Sequence, residues 1–439
     1  MADRSGPEPA HQANPTSRRR QPVGSLHRDL GLWGAVVTGL GSIVGTGVFV
    51  SIAVAFGLFG SEVLVAVPIA AVVATFNGLS SAQLAAAHPV SGGTYEYGYR
   101  FLSPWWGFTA GWLFLIAKTA SASTAALGFA GYLGALLGLD ESVRLGLAVG
   151  SAALVTALIL SGIRRTAIVN AVLVAITIGS LTTFVAAGWL DPVFTGARST
   201  LETGWGLTDL LAATAFMFVA YTGYGRIATL GEEVRDPAVT IPRAVVTTLA
   251  VSAVLYSSVA ITAWFNADPT ADVSNSAAPL VPIVNQPWAQ VVEIGAIVAM
   301  LGVLLNLILG LSRGWLAMGR RHDMPAALGT VSPGGSPTAA VALTGLVVAA
   351  VALVGDVRAT WSFSAFAVLL YYAITNAAAL KLSDEQRRFP RWTSWAGLAS
   401  CAFLSFWVDP LTWGIGAAVL ALGLAYRFVL VTRTAGIPS

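Results

Sequence analysis

Apolar residues run through this chain in long blocks, each closed by a short polar stretch. The blocks lack the period-two alternation of a half-buried strand and leave no broad polar helical face. They therefore predict helices with apolar surroundings on every side. Twelve blocks are read, at about 31–57, 62–87, 104–137, 143–161, 167–189, 208–231, 243–265, 289–314, 337–355, 361–380, 393–408 and 411–430. The eleventh is the shortest and follows Arg391. Two blocks are interrupted at mid-depth, the first by Gly41-Ser42-Ile43-Val44-Gly45-Thr46-Gly47 and the sixth by Ala220-Tyr221-Thr222-Gly223-Tyr224-Gly225. Glycine costs about 1 kcal/mol against alanine in a helix interior, so clustered glycines favour local unwinding. In hydrocarbon each peptide group left unpaired costs several kcal/mol. Glycines at such spacing also serve close helix packing. Breaks at matching places in two halves point further, to a binding site at the midplane of a carrier.

Spans one to five and six to ten each open with an interrupted helix. Five is odd, so the second set enters the membrane from the opposite side and the halves form an inverted repeat. Spans eleven and twelve lie outside it. The partition read is a polar tail at 1–24, a ten-span core at 25–381, and spans eleven and twelve with a short C-terminus at 382–439. Composition agrees with a polytopic membrane protein: 56% of the 439 residues are hydrophobic and 10% charged, against roughly 25% charged in soluble domains.

The formal charge of +3 does not call for nucleic acid, because basic loops facing the cytoplasm account for it. With the N-terminus inside, nineteen of the twenty-four Lys and Arg residues fall in cytoplasmic segments and three (Arg144, Arg198 and Arg358) in external ones. Lys118 and Arg226 remain within spans. Both termini are expected in the cytoplasm. The tail, with its Arg18-Arg19-Arg20 cluster, reads as disordered, and nothing in it resembles a cleavable leader. The single cysteine, Cys401, allows no intrachain disulfide.

Four segments resemble the amino acid–polyamine–organocation permeases, particularly the bacterial branch similar to cationic amino acid transporters. They are GSIVGTGVF from Gly41, HPVSGGTYEYGYR from His88, FVAYTGYGRIATLGEEVRDPAVTIPR from Phe218, and SRGWLAMGRRHDMP from Ser312. The resemblance implies an all-α fold of about twelve transmembrane helices, with a five-plus-five inverted-repeat core, broken helices one and six, and two extra C-terminal helices. It also implies movement of amino acids or related amines across the plasma membrane by alternating access.

A zwitterion in a membrane needs both charges compensated. The N–H groups of Gly45, Thr46 and Gly47 begin a half-helix whose positive dipole end suits a carboxylate. Carbonyls near Ser42, Ile43 and Val44, and those of Val219, Ala220, Thr222 and the Tyr221–Gly223 turn, suit an ammonium. The resemblance assigns these positions the same roles. Tyr221 and Tyr224 are candidates to cover the substrate, with ordinary packing as the alternative. Lys118 lies mid-span, where a charge costs at least ~2.5 kcal/mol, and is a candidate for proton coupling or substrate contact. Many relatives place a coupling lysine on the fifth helix, where alignment of GIRRTAIVNAVLVAITIG (Gly162–Gly179) puts Thr177 here. That departure leaves open proton coupling through Lys118, a sodium site lined by Thr177, or exchange without an ion. Arg226 is a candidate to select an acidic side chain or to hold Glu232 or Glu233 in an internal gate, and those two glutamates otherwise read as a solvated loop.

Other classes find little support. The four histidines, His11, His27, His88 and His322, share no helix face. No metal-binding pattern or phosphate loop is present, so neither enzyme, metal nor cofactor is expected. A channel and a non-transporting amino acid sensor remain as lesser alternatives to proton-linked amino acid uptake.

Overall fold

A computed structural model describes residues 30–90, 92–162, 167–193, 206–230, 234–266, 278–332 and 336–435. The expected tail at 1–24 lies outside them, as do Glu232 and Glu233. Helices dominate, and the two isolated β-bridges, Leu30 with Val234 and Pro192 with Val284, only tie loops together.

Nine helical stretches among the described residues are long and apolar enough to cross a membrane. One of them, Gly47–Ala87, contains two spans. Gly60 adopts φ +61°, a left-handed conformation that suits glycine, and turns the chain between Ile52–Phe59 and Val63–Ala87. Shorter helices supply the rest: Leu32–Ile43 opens span one, Thr338–Val354 is span nine, and Arg391–Leu404 is span eleven. The remaining spans are Pro104–Leu137, Glu141–Leu160, Ala167–Leu190, Leu207–Ala228, Pro237–Asn266, Trp288–Arg320, Val357–Ala379 and Pro410–Ala435. All twelve expected spans are therefore helical.

Packing shows a repeat of five spans among the first ten. Spans one, two, three and four each touch their counterparts six, seven, eight and nine. Adding five to each number also carries one contact onto another. Span three against ten becomes eight against five, one against seven becomes six against two, and three against four becomes eight against nine. The fold keeps a symmetry that the residues of the two halves scarcely show. Large apolar side chains on spans four, five, nine and twelve, such as Leu154, Ile168, Leu346 and Leu422, face outward, as a lipid solvent requires.

Polar side chains stitch the interior where apolar contact alone would not discriminate between helices. Spans three and ten share the hydroxyl pairs Ser121–Ser364 (2.7 Å) and Thr124–Thr360 (2.8 Å). The loop helix Thr94–Tyr97 adds Thr94–Thr375 (2.7 Å). Span eleven is short but anchored on span two, by Ser80 to Ser394 (2.9 Å), Gln83 Nε2 to Ser394 Oγ (3.2 Å) and Cys401 Sγ to Asn77 Oδ1 (3.2 Å). Asn376 of span ten donates to the same Asn77 oxygen.

Candidate functional site

Span one is interrupted where the glycines lie. Val44 turns extended (φ −79°, ψ 104°) after its N–H has closed the last bond, to Leu40 O. Backbone bonding resumes only when the N–H groups of Val48 and Phe49 both donate to Gly45 O, at 3.0 and 3.1 Å. The helix then restarts as a wide π turn, Gly47–Ser51. The ladder thus skips the N–H groups of Gly45, Thr46 and Gly47, which find no backbone acceptor among the described residues. The buried Thr46 hydroxyl is also without a partner.

Span six behaves differently from the expected uncoiling. Leu207–Tyr221 tightens into a 3₁₀ turn, Thr222–Tyr224, then makes one further α turn, Gly225–Ala228. Thr222 stays right-handed, at φ −72° and ψ −1°. The carbonyls that the sequence offered to an ammonium are largely engaged. Val219 O accepts from the Thr222 hydroxyl (2.9 Å), and Thr222 O from Tyr372 (3.1 Å). The Tyr256 hydroxyl bridges Ile43 O (2.7 Å) and Ala220 O (3.3 Å). Gly41 O accepts from Asn306 Nδ2 at 3.1 Å. Ser42 O takes no hydrogen bond among the described residues and lies against Gly223.

The two discontinuities meet through their glycines. A Cβ on Gly223 would sit 2.3 Å from Ser42 O, and one on Gly47 2.6 Å from the Cβ of Ala220. Packing and exposed peptide groups are therefore the same feature: absent side chains let the backbones approach, and the approach frames a cavity of about 600 Å³. Ser42, Ile43, Thr46, Gly47, Val219, Ala220, Thr222, Gly223, Lys118 and Arg226 border it. Lys118 Nζ donates to Thr222 Oγ1 at 3.1 Å. Arg226 lies near Thr229, its Nη1 3.5 Å from that hydroxyl.

Five expected residues lie elsewhere. Gly45 faces Val303, where a Cβ would come within 2.4 Å of Cγ2. Tyr221 packs at a tilt against Tyr256 (5.1 Å between centroids) and donates to Val67 O at 3.2 Å, while Tyr224 packs at a tilt against Tyr372 (5.3 Å). Both rings are fully buried, so their geometry is that of packing. Val44 and Thr177 border a separate void of about 10 Å³ whose other neighbours are apolar or glycine. The Thr177 hydroxyl donates to Leu173 O at 2.8 Å. Among the side chains of that lining, Thr177 supplies the one hydroxyl.

The cavity also has walls that the motifs did not mark. Trp361 is fixed by its Nε1 donating to Phe216 O at 2.9 Å; Phe114, Tyr371, Tyr372 and Asn306 complete the walls. At the rim, Arg321 pairs with Glu96 and lies over the Tyr99 ring at 4.5 Å. Behind it, buried Asp323 pairs with Arg427 of span twelve and accepts from Tyr95 (2.7 Å) and Tyr99 (2.6 Å). Burial, and then the Asp323 carboxylate, push both phenols well above their ordinary range.

Comparison with known proteins places the chain in a family. Residues 30–431 match the family model described as "Amino acid permease". An uncharacterized transporter of Mycobacterium tuberculosis is 41% identical over 417 residues, 93% of each chain. The branched-chain amino acid permease BcaP of Bacillus subtilis is 27% identical over 70% of each chain. The human cationic amino acid transporter 4 is 27% identical over 83% of this chain and 61% of its own. The chain belongs to the amino acid permease family.

Proposed function

We propose that this amino acid permease is a secondary carrier that takes amino acids up across the plasma membrane, with both termini in the cytoplasm and a proton as the coupling ion. The observation that carries the reading is the first break, where three N–H groups are skipped by the backbone ladder beside an unpartnered Thr46 hydroxyl. Donors left unpaired in a membrane interior cost several kcal/mol each unless a ligand supplies the acceptor. An α-carboxylate fits those of Thr46 and Gly47, which border the cavity, and Ser42 O is the acceptor left for the α-ammonium. Such a clamp reads what all amino acids share and leaves selectivity to the Phe114, Trp361 and Asn306 walls.

Lys118 is the candidate coupling group. It is the ammonium inside the cavity, and a buried lysine can lose and regain its proton. The void beside Thr177, with one hydroxyl among its side chains, gives less support to sodium. Arginines at the cavity rim, Arg313, Arg320 and Arg321, belong on a cytoplasmic face, so the cavity is read as opening inward.

Purified protein in lipid vesicles, given a panel of labelled amino acids, tests the reading. Saturable uptake that rises with an inward proton gradient and ignores sodium is expected. Absence of saturable flux for every amino acid would overturn it.

A further inference from the structure

Among the described residues, cationic side chains predominate around the cavity. Among the described residues bordering it, Lys118, Arg226, Arg313, Arg320 and Arg321 are cationic and only Glu96 is anionic. Glu96 is engaged by Arg321. Arg313 and Arg320 are exposed near the end of span eight, where topology alone accounts for arginine. Lys118 has no such explanation. It stands on span three one turn from Phe114 and from Ser121, which border the same cavity.

Lys118 makes no ion pair among the described residues, and its hydrogen bond goes to Thr222 Oγ1. That hydroxyl spends its own proton on Val219 O, so its lone pair is turned to the lysine. An ammonium has three donors, and two are left over. Thr222 precedes Gly223, the residue packed on the Ser42 carbonyl, so these donors lie beside the proposed backbone clamp.

We infer that Lys118 reads an anionic side-chain group, and that the preferred substrates are amino acids with a second carboxylate. The inference rests on the carrier reading above. With the α-carboxylate on the skipped N–H groups and the α-ammonium at Ser42 O, the second carboxylate neutralises Lys118 and every charge is matched. A neutral amino acid leaves the protonated lysine uncompensated in low dielectric, and a cationic one sets like charges together. A lysine that loads with an anion only in its protonated form also carries proton and substrate together.

Ligand-induced shifts in melting temperature of the purified full chain, titrated with glutamate, aspartate, leucine, lysine and succinate, test this. Glutamate or aspartate is expected to bind at least ten-fold more tightly than leucine, with lysine and succinate failing to bind. Lys118→Met should lower the acidic-to-neutral affinity ratio at least ten-fold, and Lys118→Arg should restore most of it. Leucine or lysine binding as tightly as glutamate overturns the inference alone, as does a ratio unmoved by Lys118→Met. If that variant fails to fold, the ranking on the natural protein decides. Failure of every amino acid to bind overturns the carrier reading and this one with it.

Discussion

Gly223→Ala puts the framing of the cavity to the sharpest test. The added Cβ would lie 2.3 Å from Ser42 O, 2.4 Å from Ser42 C and 2.6 Å from Ile43 N, all backbone atoms with no rotamer to escape by. Ordinary contact begins at 3.4 Å, so the two discontinuities must part by the difference, 3.4 − 2.3 or roughly 1 Å. Overpacking of this kind costs about 1–3 kcal/mol. Charged to the ligand-competent arrangement, that is a roughly 5- to 150-fold loss of affinity, at about 1.4 kcal/mol per factor of ten. Helix propensity pulls the opposite way by about 1 kcal/mol, so melting temperature need not fall as affinity does. Gly150→Ala is the control, because no atom lies within 4 Å of the added methyl. Affinity from ligand-induced melting shifts, with initial uptake rates per inserted protein, gives the readout. Gly223→Ala binding within two-fold of the natural protein would refute the close approach as the basis of the site.

Further outcomes follow from the same geometry. Gly45→Ala should impair uptake by pressing on Val303, and Gly45→Ala with Val303→Ala should recover it; an uncoupled pair in a double-mutant cycle refutes that contact. Tyr256→Phe strips a hydroxyl from two buried carbonyls, at about 1–3 kcal/mol, and should weaken substrate binding several-fold in the melting-shift titration. Asp323→Asn leaves the Arg427 charge without its partner and should destabilise the detergent-purified protein by about 3–5 kcal/mol. Adding Arg427→Met should return part of that loss, as judged by thermal unfolding. Lys118→Ala should flatten the pH dependence of vesicle uptake, whereas a profile like that of the natural protein removes the lysine from coupling.

The spans were legible because a bilayer imposes length and composition on any helix that crosses it, and because Gly60 and Pro104 punctuate the runs. The first break was legible because clustered glycines lower the cost of unwinding, and they serve close packing as well. The second was overread. Gly223 and Gly225 mark close approach, and a 3₁₀ turn supplies it while side-chain hydroxyls cap the carbonyls. Tyr221 and Tyr224 could not be placed from their position beside a break, since one residue along a helix rotates a ring by about 100°. Trp361, Asn306 and the Glu96–Arg321 pair went unseen because each acts across more than a hundred residues of chain. Periodicity is local, and carries no record of such partners.

The hydroxyl pairs joining spans three and ten differ in kind from the amide contacts around Asn77. In each of the former, either oxygen could be the donor, so the bond can reverse without moving a heavy atom. The amides allow no such exchange, because nitrogen and oxygen are not interchangeable. Between spans three and ten the direction of each bond is thus free to invert, whereas at Asn77 it is fixed. Span eleven shares both kinds of contact with span two, a reversible hydroxyl pair at Ser80 and Ser394 and one-way donors at Gln83 and Cys401.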